Sequence, residues 1–330
     1  VSPGPQPPQD PLARTDGRPL RAVAIGECLI ELRHTAPDTL TIDCAGDTYN
    51  AAAYLARAAR QLGLPLEVGY LTGLGDDEYS DLIRAAWQRT SITDRSVTVP
   101  GAVPGLYIVR TDPAGERTFR YWRSGSAAAR LLATTDWPAG IEADIVYLSG
   151  ITLQVTTPAA RALLYERLTE LRSQGSVIAF DTNYRPAGWH ASADARRAIR
   201  DFAGIARFVF ATFDDEQQLF ADPHPRSAGL RYRNAGAEEV IVKLGACGAL
   251  VFTGDETVPV RAEHVEHVAD TTAAGDSFAG TYLASRLAGA AAPEAGRRAA
   301  SVAAQVVKQA GAVVPTEIPQ QAPSRVTDQG

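Results

Sequence analysis

Methionine is absent from all 330 residues, and cysteine occurs only at Cys28, Cys44 and Cys247. The three cysteines lie far apart and none shares a CxxC spacing. That argues against a disulfide framework or a cysteine zinc site, and buried or free thiols in a reducing compartment are the expectation. Long apolar runs are missing too, so no membrane-spanning helix is expected. The N-terminal segment lacks the apolar stretch of a secretion signal, and the expected location is the cytoplasm. There is no basic block. A formal net charge of −6 with both signs interspersed argues against nucleic acid as the main partner. A local basic pocket for a phosphate or carboxylate stays compatible with it. His34, His190, His224, His264 and His267 form no HxH or HxxxH pair, and no histidine metal centre is expected. A GxxxxGK[ST] loop is also missing, which disfavours a Walker-type ATPase.

What is present is an ordinary globular composition, 45% hydrophobic and 21% charged, enough to bury a substantial core. Residues 1–19 carry six prolines and little that can be buried, so a disordered tail is expected there. A similar flexible tail is expected over 316–330, leaving a domain over 20–315. Within it, strand-like and helix-like runs alternate. Residues 21–26, 66–71, 143–149, 177–181, 207–211, 240–243 and 249–252 read as strands. Residues 50–62, 77–89, 158–174, 276–289 and 293–310 read as helices. This alternation predicts an α/β fold with a mainly parallel sheet covered on both faces. One stretch departs from it. Two strand-like runs, 106–110 and 117–122, flank Asp112-Pro113-Ala114-Gly115 with no helix between them. This hairpin, within about 105–123, is a candidate lid or small second domain.

The most informative stretch is Asp270-Thr271-Thr272-Ala273-Ala274-Gly275-Asp276-Ser277-Phe278. Small residues sit where a helix should begin, and free amides at a helix N-terminus bind anions. Asp276 in the first turn could serve only the helix dipole, or it could be a catalytic carboxylate. Similar pairs of readings apply elsewhere. Gly46, Asp47 and Asn50 precede an Ala-rich helix, as capping residues or as a ligand turn. Phe119, Tyr121 and Arg123 alternate onto one face of the hairpin, either as ordinary β-formers or as a site for a sugar acid. Asp181-Thr182-Asn183-Tyr184-Arg185 follows a strand, where sites in open sheets lie.

The 270–278 segment resembles the C-terminal signature of the ribokinase-like (PfkB) carbohydrate kinases. The likeness extends over about residues 21–315 and implies a three-layer sandwich with a small β lid. It implies Asp276 as catalytic base and an anion hole from Ala273, Ala274 and Gly275. The Cys44–Asn50 element resembles that family's Gly-Gly-x-x-x-Asn, with Ala45-Gly46 in place of the doubled glycine. Its Asp47-Thr48 variant looks like the branch of 2-keto-3-deoxygluconate kinases. By that resemblance Gly46, Asp47, Asn50, Tyr107, Tyr121, Arg123 and Arg185 contact substrate. Asn183, Lys243, Gly245, Gly248 and Gly275 serve the nucleotide. Glu216 corresponds to the glutamate of the family's Asn-x-x-Glu element, although Phe213 replaces the Asn, and implies placement of Mg²⁺, if only through water. The implied cofactors are ATP and Mg²⁺, the implied reaction is phosphorylation of a keto-acid at its 6-hydroxyl, and a homodimer is compatible. The alternatives are a kinase for another sugar, such as fructose or ribose, and a catalytically silent sugar-binding regulator.

Overall fold

The computed structural model describes residues 18–36, 38–111 and 117–319. The turn expected at 112–115 and most of both expected tails lie outside these residues. Among the described residues, the main sheet has nine strands. Its order runs Glu256–Val260, Ala249–Thr253, Glu239–Lys243, Phe208–Thr212, Val177–Asp181, Ile145–Ser149, Leu20–Ile25, Leu66–Leu71 and Ile92–Asp94. Pairing is parallel from Ile92–Asp94 across to Glu239–Lys243, and two antiparallel strands finish the other edge.

The central strands are continuous apolar runs because both of their faces are covered. In Leu20–Ile25, Ala22 and Ala24 pack into one core, and Val23 and Ile25 into the other. Ile145–Ser149 does the same, with Ile145 and Tyr147 opposite Val146 and Leu148. Helices Asp47–Gln61, Glu78–Thr90, Ala274–Leu287 and Ala292–Val306 cover the first face. Helices including Pro158–Ser173, Ser192–Ile205 and Pro225–Ala235 cover the second. The expected three-layer α/β sandwich is what forms.

Two of these helices matter most for function. Asp47–Gln61 carries the Ala51-Ala52-Ala53 run, and Ala274–Leu287 carries Gly280 at the contact. A Cβ on Gly280 would lie 2.3 Å from the Ala51 carbonyl oxygen. Small side chains therefore let the two backbones approach closely, which draws the first turns of both helices together.

The lid is larger than the hairpin expected at 105–123. It is a four-stranded sheet in the order Thr39–Ala45, Leu29–Ala36, Leu106–Thr111, Arg117–Trp122. The first pair and the last pair are antiparallel, and Leu29–Ala36 runs parallel to Leu106–Thr111. Thr39–Ala45 alternates exposed Leu40 and Ile42 with polar residues, a period-two signal that the expectation left unused. Beneath the lid a third core joins Leu29, Ala45, Tyr107 and Val109 to Ala273, Val302 and Val306. The lid root thus packs against the turn that starts helix Ala274–Leu287.

The domain also extends beyond residue 315. Gln61 donates to the Thr316 carbonyl at 2.8 Å, and the Ile318 amide donates back to Gln61 at 2.9 Å. Thr316 is buried and Ile318 packs against the core, so a flexible tail does not begin at 316. Composition hid this because the contacts join the Gln61 side chain to the backbone of a segment 255 to 257 positions away. No described helix is long and apolar enough to cross a membrane.

Candidate active site

The site forms where strand ends and helix starts converge. Strand Thr39–Ala45 ends at the lid root and the chain turns into helix Asp47–Gln61 at Gly46. A Cβ on Gly46 would lie 2.2 Å from the Glu27 carbonyl oxygen, so this turn presses against the segment after the first strand. One helical turn on, Asn50 Nδ2 donates to Asp276 Oδ2 at 2.9 Å. That bond joins residues 226 positions apart and is the direct result of the close helix pair.

Asp276 lies in the first turn of Ala274–Leu287, behind Ala273. Ala273 has φ 59°, a left-handed conformation unusual for alanine, and is the cap of the helix. No side chain caps that end; the Ala274 amide donates to the Thr271 carbonyl at 3.3 Å, and the Gly275 and Asp276 amides of the first turn have no side-chain cap. Burial pushes the Asp276 carboxyl up to about 7, and the neighbouring Asp47 adds to the rise. The Asn50 hydrogen bond and the Lys243 ammonium oppose it. A carboxylate poised near neutrality is suited to take up a proton during turnover.

Lys243 ends its strand as a buried cation. Its Nζ donates to Asp181 Oδ2 at 2.7 Å. A Cβ on Gly275 would lie 3.2 Å from the same Nζ, which places the ammonium over the helix start. Asp181 Oδ1 accepts from the Asn183 amide at 3.2 Å. Asn183 is held with φ 28°, and its Nδ2 donates to Asp47 Oδ2 at 2.7 Å. Asp47, Asn50, Asn183, Lys243, Gly275 and Asp276 therefore form one connected cluster.

On one side of the turn lies a cavity of about 480 Å³. Lys243, Gly245, Gly248, Ala274 and Gly275 border it, and Val268, Phe278, Ala303 and Val307 give it apolar walls. Two other depressions are larger, about 910 and 960 Å³, but neither is lined by a residue of the cluster. Asp276 does not line the 480 Å³ cavity. It faces Asn50 and Asp47 on the other side, so the helix start separates this pocket from a polar cleft, the candidate acceptor side.

The acceptor side is roofed by the lid. Tyr107 and Tyr121 are cross-strand partners with ring centroids 5.5 Å apart, and Phe119 stacks on Tyr121 at 6.2 Å. The phenol of Tyr121 feels both the Arg123 and the Arg185 guanidinium, and burial pushes its pKa up against their pull. Both arginines already have partners. Arg123 Nη2 lies 2.5 Å from Glu27 Oε2, and Arg185 Nη1 lies 3.1 Å from Asp215 Oδ2. Tyr107 does not present a free hydroxyl, since it donates to Glu31.

Two expected roles need correction. Glu216 is fully buried, and its oxygens accept from Thr182, Arg231 and Tyr232, each at 2.7 Å. No oxygen is left open for a metal or its water. Its visible role is to anchor Thr182, beside the Asp181–Asn183 turn. Asn183, expected beside phosphates, points its amide group at Asp47 on the acceptor side. Asp181, Asp215 and Glu27 went unassigned in the sequence. For Asp181 a signal existed: a carboxylate closing an apolar strand, at its C-terminal end. Among the described residues no group of three histidine, cysteine or carboxylate side chains converges to hold a metal ion.

The chain is 38% identical over 301 residues to a 2-dehydro-3-deoxygluconokinase of Dickeya dadantii, covering 89% of this chain and 96% of that protein. It is 38% identical over 306 residues to the protein of that name from Escherichia coli K12, covering 90% and 98%. A solved 2-dehydro-3-deoxygluconokinase from Thermotoga maritima superposes with a TM-score of 0.79 at 20% identity, covering 90% and 97%, which shows a common fold. The description pfkB family carbohydrate kinase matches residues 20–319. This match and the identity to these relatives over nearly their whole length show that the chain belongs to the pfkB family of carbohydrate kinases.

Proposed function

We propose that the protein transfers the γ-phosphoryl group of ATP to the 6-hydroxyl of 2-keto-3-deoxy-D-gluconate, with Asp276 as general base. The observation that carries this reading is the placement of Asp276. It is bonded to Asn50, raised to about 7, and set beside amides that no side chain caps, with Lys243 above them. Phosphoryl transfer asks for little else from a protein. It needs the acceptor and the phosphorus aligned, a proton acceptor, and positive charge where negative charge builds up.

The chain's own residues divide that work. Asn50 fixes the carboxylate of Asp276, which takes the proton of the attacking hydroxyl. The amides of Gly275 and Asp276 and the Lys243 ammonium face the developing charge. The 480 Å³ cavity, with apolar walls and Gly245 and Gly248 at its rim, suits a nucleotide base. Tyr121 covers the carbon skeleton of the acceptor, and Arg123 and Arg185 draw its carboxylate. The lid keeps water from competing for the phosphoryl group.

Magnesium fits this donor set only as an ion carried chiefly by phosphates and water, which is its usual habit. Asp181 and Asp215, both within electrostatic reach of Lys243, are the carboxylates that would steady it. When bound, it would neutralise phosphate charge.

A kinase for a neutral sugar is the second reading. It is favoured by one observation, that both arginines are already neutralised by Glu27 and Asp215. A coupled assay of the purified protein with the keto-acid, fructose and ribose separates the two. The proposal expects kcat/KM for the keto-acid at least ~100-fold above that for either neutral sugar. Equal or reversed preference overturns it. Binding of the acid without consumption of ATP would mark a silent regulator instead.

A further inference from the structure

Glu27 follows the first strand of the main sheet, and its side chain is almost completely buried. Its two oxygens have different partners. Oε2 sits 2.5 Å from Arg123 Nη2, and Oε1 accepts from Ser126 Oγ at 2.5 Å. Ser126 in turn caps the helix Ala127–Ala133 through the Ala129 amide. The Arg123 carbonyl accepts from the Ser126 amide at 3.1 Å, so residues 123–126 close on themselves around the carboxylate. Gly105, where the second lid hairpin begins, leaves room for the pair. A Cβ there would lie 2.7 Å from Glu27 Oε1 and 3.0 Å from Arg123 Cβ. Burial pushes the Glu27 carboxyl up, and Arg123 and Ser126 pull it down.

From this geometry we infer that Glu27 is a positioning residue, which holds the Arg123 guanidinium in place through a buried ion pair so that its remaining donors meet the substrate carboxylate. The inference rests on the keto-acid reading above. A guanidinium recognises a carboxylate through two parallel N–H bonds, which demands a fixed plane as well as charge. Arg123 sits at the end of a lid strand whose neighbours Tyr121 and Trp122 are more than half exposed, so its own strand does little to immobilise it. Glu27 lies in the turn that joins the first main-sheet strand, Leu20–Ile25, to the lid strand Leu29–Ala36. It therefore refers the lid arginine to the frame that also carries Asp276.

The sign of the effect separates positioning from simple charge. Glu27 is an anion near the expected acid, and Asp47 lies within its electrostatic reach. On charge alone, Glu27→Ala would relieve repulsion and lower KM for the keto-acid. Positioning predicts the reverse: KM for the acid rises at least tenfold, while kcat and KM for ATP change less than threefold. Ser126→Ala and Gly105→Ala, which disturb Glu27 without removing its charge, should also raise that KM, by about three- to tenfold. In an Arg123→Ala background, Glu27→Ala should add less than twofold. An unchanged or lowered KM in Glu27→Ala overturns the inference, as does full additivity with Arg123→Ala. Equal losses for acid and ATP would show a purely structural role. Should Glu27→Ala not fold, Ser126→Ala and Gly105→Ala decide alone. A wild type that turns over no keto-acid overturns the function reading and this inference with it. Turnover with unshifted KM in the variants overturns this one alone.

Discussion

The two sides of the helix start are built differently. The pocket side consists mostly of small and apolar residues, from the short stretches 243–248, 262–265 and 274–275 and the apolar walls, with Lys243 its buried cation. The acceptor side consists of charged and polar side chains from six separate segments. Asp47 meets Asn183, Asn50 meets Asp276, Glu27 meets Arg123 and Arg185 meets Asp215. A phosphate group is the same in every reaction of this kind, and bare amides serve it. An acceptor must be told from similar sugars, and that requires directional side chains held by partners. Substitutions on the acceptor side should therefore change what is recognised, and those on the pocket side, Lys243 apart, should change little unless they move backbone.

Asp276 belongs to both sides, and its loss should have the largest effect. Asp276→Asn is expected to lower kcat by ~10²–10⁴-fold, with KM for the acid within about threefold. Near-normal turnover would remove the base and with it the division of roles. The pKa predicts two further results. In the wild type, kcat/KM should fall as pH drops through about 7, where Asp276 becomes protonated. The Asn50 bond holds that pKa down, so Asn50→Ala should move this acid limb to higher pH. Stability runs the other way. The folded pKa lies above the usual 3.8, so the native state holds the extra proton and stability falls as pH rises from about 4 to about 7. At roughly 1.4 kcal/mol per pKa unit the ceiling of this cost is ~4 kcal/mol. Asp276→Asn should therefore be more stable than wild type at pH 8, by ~1–3 kcal/mol, and equal to it near pH 3. Denaturant titrations at the two pH values check this.

Lys243 tests whether the pocket side depends on any side chain. Lys243→Ala leaves the buried Asp181 without its partner, at a cost of ~3–5 kcal/mol. It also removes the cation over the amides, and kcat should drop ~10²-fold. Adding Asp181→Asn removes the orphaned charge. The double variant should regain most of the midpoint temperature and none of the turnover. If turnover returns with stability, Lys243 is structural and the amides alone serve the phosphate.

The same contrast explains what could be read from the sequence. The pocket side is nearly contiguous, so DTTAAGDSF and KLGACG display it directly, and the structure places Lys243, Gly245, Gly248, Ala274 and Gly275 on one cavity. The parallel sheet was legible because strands buried on both faces are unbroken apolar runs. The pairings of the acceptor side were not legible. Nothing local to Arg123 announces Glu27, which lies 96 positions away, nor does Arg185 announce Asp215. Glu216 was misread because a motif gives residue type and spacing but not burial. In this fold its helix turns the carboxylate inward to Thr182, Arg231 and Tyr232. Strands Leu29–Ala36 and Thr39–Ala45 were passed over because charged residues interrupt them, as suits a sheet with one face in water.

The smallest expected effect is the sharpest check on the idea that the pocket side is a matter of backbone. Ala273 is left-handed, which costs an alanine ~1–2 kcal/mol and glycine almost nothing. Its methyl is buried under the lid root with Tyr54, Val302 and Val306, worth ~0.8 kcal/mol. Glycine would also gain freedom in the unfolded chain, at ~0.4–1 kcal/mol. These contributions nearly cancel. Ala273→Gly should shift the midpoint temperature by less than ~3 °C and leave kcat within about threefold, because the amides it precedes keep their direction. A tenfold loss of kcat with an unchanged midpoint would mean that the methyl, wedged against the lid root, sets the turn. Packing would then govern the pocket side as it does the acceptor side, and the distinction between them would fail.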